Sequence, residues 1–168
     1  MEYLCFVNSN SHANNVHPKM DLKIVEFQPN LFRLYSKYES ENDKEFRKTL
    51  FRVYISILTR FRTKIYFAIS DTNEVVHFSV VIPRNFKYPF LKKNEFCIGP
   101  CNTVENARGL GIYPYVLQKI LSDNQGAVYY MLIKKDNNAS IRGVKKAGFM
   151  LCDKRILGTK FLNRFKSM

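Results

Sequence analysis

The sequence predicts a mixed α/β domain in which one central sheet is flanked by helices. Three observations carry this expectation: an apparent hairpin of two alternating stretches, a continuous apolar run "AVYYMLIKK", and amphipathic segments of helical spacing between such runs. At 168 residues, with 46% hydrophobic and 14% aromatic content, the chain fits a single domain, 1–168, with a full core.

Taken in order, Asp21 to Phe27 ("DLKIVEF") reads as a strand that Pro29 ends. From Asn42 to Arg62 a helix is expected, because Phe46, Leu50, Val53, Tyr54, Ile57, Leu58 and Phe61 recur at helical spacing. In "KIYFAIS" Ile65, Phe67 and Ile69 alternate. After the turn-like "DTNE", "VVHFSVVI" alternates again, with Val76, Phe78, Val80 and Ile82 on one face and His77 and Ser79 on the other. A strand over Asn94 to Gly99 follows a loop holding Pro83 and Pro89.

"AVYYMLIKK" has the continuous apolar character of a strand buried on both faces. A short helix over Asn138 to Lys146 has clear punctuation: Asn137 or Asn138 caps its start, Ile141 and Val144 share a face, and "AGF" stops it. A last strand is expected near Phe149.

Several classes are excluded or disfavoured. No run of about 18 apolar residues exists, so no membrane span is expected. The start, "MEYLCFVNSNSHANN", lacks a basic end and an uninterrupted apolar stretch, which predicts a cytoplasmic protein with Cys5, Cys97, Cys101 and Cys152 as thiols. Cys97 and Cys101 have no matching second pair, so no metal site is expected.

The charge is the compositional outlier: 27 Lys and Arg against 14 Asp and Glu, a net +13. It favours polyanionic partners without choosing among them. The basic residues are scattered rather than gathered in a tail, so nucleic acid is disfavoured as a partner.

The informative stretch is "CNTVENARGLGIYPYVLQKIL", Cys101 to Leu121, where Gly109 and Gly111 stand behind Arg108 and before an amphipathic helix. Glycines at a strand-to-helix turn let backbone approach a ligand, and the first helical turn offers unpaired N–H groups at the positive end of the dipole. Such a turn suits a phosphate. Pro114 is compatible with a helix that begins near Gly111. A nucleoside-triphosphate loop, GxxxxGK with Ser or Thr, is absent, and "GLGIYP" supplies only the first two glycines of a dinucleotide fingerprint.

Arg108, Gly109, Leu110, Gly111 and Ile112 resemble the acyl-coenzyme-A motif of the GNAT superfamily of N-acetyltransferases, a Gln or Arg, two residues, Gly, one residue, then Gly or Ala; Tyr113 departs at the last position. "NNASIRGVKKAGF" is similar to the superfamily's closing segment, in the family's order and at its usual separation. The resemblance covers roughly Lys64 to Phe149. It implies acetyl-CoA as the acyl donor and a small-molecule primary amine as the acceptor. The wording "FCIGPCNTVENARGLGIYPYVL" also resembles GNAT proteins encoded with bacterial surface-polysaccharide enzymes, whose acceptors include nucleotide-linked amino sugars.

The resemblance also implies roles. Backbone N–H groups of Arg108 to Tyr113 hold the pyrophosphate, and the strand edge near Cys101 to Thr103 pairs with the pantetheine amides. An N–H near Thr103 polarises the thioester carbonyl. Asn137 contacts the pantetheine arm with Ser140 near the same wall, and Arg142, Lys145 and Lys146 face the outer phosphate. The family's usual acid is a tyrosine in the closing helix, and here that position is Val144, so Tyr113 or Tyr115 are the substitutes.

For the base there are two candidates: Glu95, on the strand leading into the site, and His77, whose unperturbed pKa suits neutral pH. Arg84, Lys87, Lys92 and Lys93 of the loop "IPRNFKYPFLKKN" are cations on the acceptor side. Two rival readings stand beside this one: an acyl-coenzyme-A binding protein without chemistry, and a basic nucleic-acid-binding domain. The oligomeric state is left open, a homodimer included.

Overall fold

The structure is a computed structural model and describes residues 2–8, 16–30, 32–33, 36–38, 57, 59–152, 156–158 and 165–167. Its strands are β1 (Glu2–Asn8), β2 (Leu22–Phe27), β3 (Lys64–Ser70), β4 (Val75–Pro83), β5 (Glu95–Thr103), β6 (Val128–Lys134), β7 (Met150–Leu151), β8 (Ile156–Gly158) and β9 (Phe165–Ser167). Helix α1 spans Ile112–Asp123 and α2 spans Asn138–Lys146, with a 3-10 turn at Glu105–Ala107.

All strands join one sheet in the order β2-β3-β4-β5-β6-β1-β8-β9, with β7 also on β1. Among the described residues every ladder is antiparallel except β5 with β6. The mixed α/β class expected from the sequence is what the structure shows.

The largest core cluster lies between the sheet and both helices. Ile112, Val116, Leu117, Ile120 and Leu121 of α1 and Val144 of α2 pack on Tyr66, Ala68, Val81, Ile98, Tyr129, Met131 and Ile133. Each large aliphatic side chain buried in this way contributes about 1.5–3 kcal/mol. Two smaller clusters are Phe27, Ile65, Phe67 and Ile69, all on strands, and Cys5, Cys97 and Tyr130 of the strands with Tyr88 and Leu91 of the connection between β4 and β5.

The hairpin, the strand at Leu22–Phe27, the buried strand β6, both helices and β7 fall where the sequence places them. Several features differ from expectation. The register shifts between Ala68 and Ile69, so that Ile69 faces Val75 and Ala68 faces His77. Val76 is the extra residue and packs with the helix-side cluster rather than with Phe78 and Val80. Such a bulge re-aims side chains that strict alternation would place on the other face.

Strand β5 runs on to Thr103, four residues past its expected end, through a second register shift and a cis Gly99–Pro100 bond. Proline is accepted at a bulge because it has no N–H to leave unpaired. Most of the helix expected from Asn42 to Arg62 lies outside the described residues; at its end, Thr59 to Phe61 form a turn, with Arg60 and Phe61 at φ 50° and 56°.

The strand β1 is a finding the sequence reading lacks. It sits deep in the sheet, antiparallel to β6 on one side and to β7 and β8 on the other. The chain then returns over α1: the Val16 N–H donates to Gln118 Oε1 at 3.1 Å, and the Lys19 N–H donates to the Leu110 carbonyl at 2.9 Å.

Candidate active site

The site is built where the sheet divides. Strand β5 pairs with β6 only from Glu95 to Cys97, opposite Val128 to Tyr130. Beyond that rung, among the described residues, β5 keeps β4 as its partner and β6 keeps β1. Two strand edges therefore diverge from Cys97 and Tyr130 onward, each with backbone groups aimed into the gap. An edge of this kind is a template for an extended, amide-bearing ligand.

At the open end of the gap stands the glycine turn. Gly109 and Gly111 both have φ +80°, a left-handed conformation costly for other residues. Their surroundings differ. A side chain at Gly109 would meet nothing within 4 Å, whereas one at Gly111 would stand 3.4 Å from the His17 carbonyl oxygen and 3.7 Å from Pro18 Cα. Gly109 is thus open to a ligand, and Gly111 is where the returning N-terminal segment presses on the turn.

Gly111 is the N-cap of α1, without a side-chain cap, and the first backbone bond runs from the Tyr115 N–H to the Gly111 carbonyl at 3.2 Å. Ile112 and Tyr113 are the first-turn amides left facing outward, since Pro114 carries no N–H. Arg108 is exposed, and its Nε donates to the Thr103 carbonyl at 3.2 Å, which ties the end of β5 to the turn.

Behind β5 lies a chain of buried polar groups. His77 is 1% exposed and Ser79 0%. His77 Nδ1 lies 2.7 Å from Thr103 Oγ1, and Nε2 lies 2.8 Å from Ser79 Oγ. The Ser79 hydroxyl in turn meets the Cys101 thiol, which burial pushes up to about 11. Burial lowers His77 to about 4. Expected to titrate near neutrality, His77 is instead a neutral ring with both nitrogens engaged, because nothing charged offsets its loss of water.

Tyr113 reaches the apex of the gap from the first turn of α1. Its hydroxyl donates to Met131 Sδ at 3.8 Å, and Met131 is the first residue of β6 beyond the last paired rung. Its ring lies 5.7 Å, centroid to centroid, from His77. Burial, with Cys101 nearby, holds the hydroxyl well above the ordinary tyrosine range. A thioether is a weak acceptor, so this hydroxyl has a better bond still to make.

The remaining expected residues fall elsewhere. Glu95 stands at the start of β5, where Oε2 accepts the Lys92 N–H at 2.8 Å. It is far from His77, which pairs with Thr103 at the other end of the same ladder. Asn137 Oδ1 accepts the Ser140 N–H at 3.1 Å and so caps α2. Val144 is fully buried in the core, where it can donate nothing. Tyr115 is half-buried one turn into α1, and Arg142, Lys145 and Lys146 are exposed. Arg84, Lys92 and Lys93 are exposed too, while Lys87 lies 5.4 Å over the Tyr88 ring.

Sequence reasoning misses Ser79, Met131 and Gly143. Gly143 had a signal: glycine inside a nine-residue helix costs about 1 kcal/mol relative to alanine.

No protein-family model matches the chain, and no curated protein matches it. Solved structures do. A GNAT-family acetyltransferase from Colwellia psychrerythraea superposes with a TM-score of 0.58 at 14% identity, over 90% of this chain and 53% of that one. A tandem GNAT protein from the clavulanic acid biosynthesis pathway gives 0.55 at 15% identity, over 89% and 50%. A candidate acetyltransferase from Acinetobacter baylyi ADP1 gives 0.56 at 15% identity, over 89% and 94%. The chain spans about half the length of the first two and nearly all of the third. At such identities the likeness is one of fold: the chain has the GNAT acetyltransferase fold.

Proposed function

We propose that the chain transfers an acyl group, acetyl above all, from coenzyme A to a primary amine of a small molecule. The observation that carries this reading is the pairing of a strand edge that opens past Cys97 with an uncapped glycine turn at its far end. The edge offers N–H and C=O groups to the amides of the pantetheine arm, and the outward amides of Gly109 to Tyr113 with Arg108 receive the pyrophosphate.

In the reaction the amine nitrogen attacks the thioester carbon, a C–N bond forms, the C–S bond breaks, and the sulfur leaves as a thiolate. A β5 N–H near Cys101 to Thr103 stabilises the carbonyl oxygen as it gains charge. Tyr113 gives its proton to the thiolate, in place of the tyrosine that Val144 replaces. Glu95 takes the proton from the amine, through water. It lies on the strand about 7 Å before the sheet divides, at two residues of roughly 3.3 Å. His77 holds Thr103 and Ser79 in register and exchanges no proton with substrate. The surplus of basic residues, a net +13, favours an anionic acceptor, a nucleotide-linked amino sugar among them, and a cytoplasmic setting supplies both substrates.

Thermal unfolding with and without acetyl-coenzyme A tests the reading. At about a hundredfold excess over Kd the ligand should add about 2.7 kcal/mol. Arg108→Ala should shrink that gain, and Gly109→Val, which puts a β-branched residue in a left-handed turn, should abolish it. No stabilisation of the wild-type protein at saturating ligand overturns the proposal. Glu95→Gln should cut kcat at least tenfold with coenzyme binding unchanged, and an unaltered rate removes Glu95 from the mechanism.

A further inference from the structure

We infer that Gly143 is a positioning residue: its missing side chain is the notch that seats Tyr113 at the division of the sheet. The chemical half of this inference rests on the acyl-transfer reading above, and the geometric half does not. A Cβ built on Gly143 would stand 2.5 Å from Tyr113 Cδ1 and 2.8 Å from Cε1. Both distances lie well inside any real carbon–carbon contact, which settles near 3.5–4.0 Å.

The ring has little room to yield. It lies tilted at 37° against the His77 ring on one side, its hydroxyl meets Met131 Sδ, and its backbone belongs to the first turn of α1. Relieving the overlap takes about 1 Å at the ring carbons. The hydroxyl lies further along the same lever and moves more.

The two departures from a common helical pattern therefore belong together. A large ring stands at 113, where the resembling motif has a small residue, and the smallest residue stands at 143, in the middle of α2. Glycine is a poor helix former, so α2 gives up helix propensity at this point for the space. The neighbouring Val144 faces the core and cannot supply a proton. The ring from α1 thus uses the space beside α2, and Gly143 sets where its hydroxyl ends.

Three variants test this: Gly143→Ala, Tyr113→Phe and their combination. The first readout needs no turnover. The ring carbon resonances of Tyr113, labelled with 13C and identified by their loss in Tyr113→Phe, should move in Gly143→Ala; an unmoved resonance in a folded variant overturns the inference. The second is kinetic, with acetyl-coenzyme A and the best amine of a panel. Gly143→Ala should lower kcat ten- to a hundredfold, the scale of a misplacement of about 1 Å, with the coenzyme KM within about twofold.

In the Tyr113→Phe background the same change should cost nothing further. A full additional loss there, or an unchanged kcat beside a shifted ring, overturns the positioning role. If Gly143→Ala does not fold, pairing it with Tyr113→Ala should restore folding, and failure to restore it overturns the notch. A wild-type protein that acetylates no amine defeats the acyl-transfer reading and the catalytic half with it, while the resonance still decides the geometry.

Discussion

Tyr113→Phe is expected to lower kcat about a hundredfold to a thousandfold while acetyl-coenzyme A binding stays within about twofold, the usual range for loss of a positioned acid. Among the described residues the hydroxyl's hydrogen-bond partner is Met131 Sδ, one residue past the point where β5 and β6 separate. A thiolate released there, as the proposed reaction requires, is a far stronger acceptor than a thioether.

Burial favours the protonated form, since Tyr113 is held well above the ordinary range, and that is the form the proposed acid needs. Phenylalanine retains the ring, its seat on Gly143 and its neighbour His77, so packing is preserved and the loss reports the proton. An unchanged kcat in a folded Tyr113→Phe protein eliminates the role and leaves protonation of the thiolate to water.

The second large effect is on stability. Lowering the pH from about 6.5 to about 4 should cost the fold about 3 kcal/mol through His77 alone. An unfolded histidine takes up a proton near pH 6.5, whereas the folded His77 resists until about 4. Between those values the unfolded state binds the extra proton. The stabilisation is therefore complete above the unfolded value and is lost as pH falls through the window.

Protonation would also make both ring nitrogens donors, and every O–H in the chain would then have to turn outward from the ring. Denaturant unfolding of the wild type and His77→Gln at pH 7 and pH 4 checks the sign. The wild type should lose about 3 kcal/mol more than the variant; equal losses refute the assignment.

Much of the architecture was legible because it follows local rules. The period of two marked β3 and β4, the apolar run marked β6, and Asn137 with the "AGF" stop bounded α2 almost to the residue. The glycine turn was legible as a ligand-type turn, but its two glycines have two different reasons, and only the long-range approach of His17 to Gly111 separates them. Long-range effects account for the other differences. The bulge that turns Val76 inward depends on the partner strand, and the depressed His77 depends on burial that a single strand cannot announce. Gly143 reads as an ordinary weak spot in a helix until Tyr113 is placed against it. Strand β1 escapes a sequence reading because its short apolar run, Tyr3 to Val7, carries no sign of which distant strands it will join.

That strand bears on how the protein is made. Asn8 Nδ2 donates to the Gly148 carbonyl, 140 residues along the chain, and every ladder of β1 is to a strand that follows α1 in the chain. At a synthesis rate of about 5–20 residues per second, β1 leaves the ribosome roughly ten seconds ahead of its first partner. A seven-residue strand that includes Leu4, Cys5, Phe6 and Val7 must wait through that interval unpaired. Closing so long a loop comes late and slowly, as for any pairing of high contact order. Among the described strands, β1 therefore waits longest for a partner.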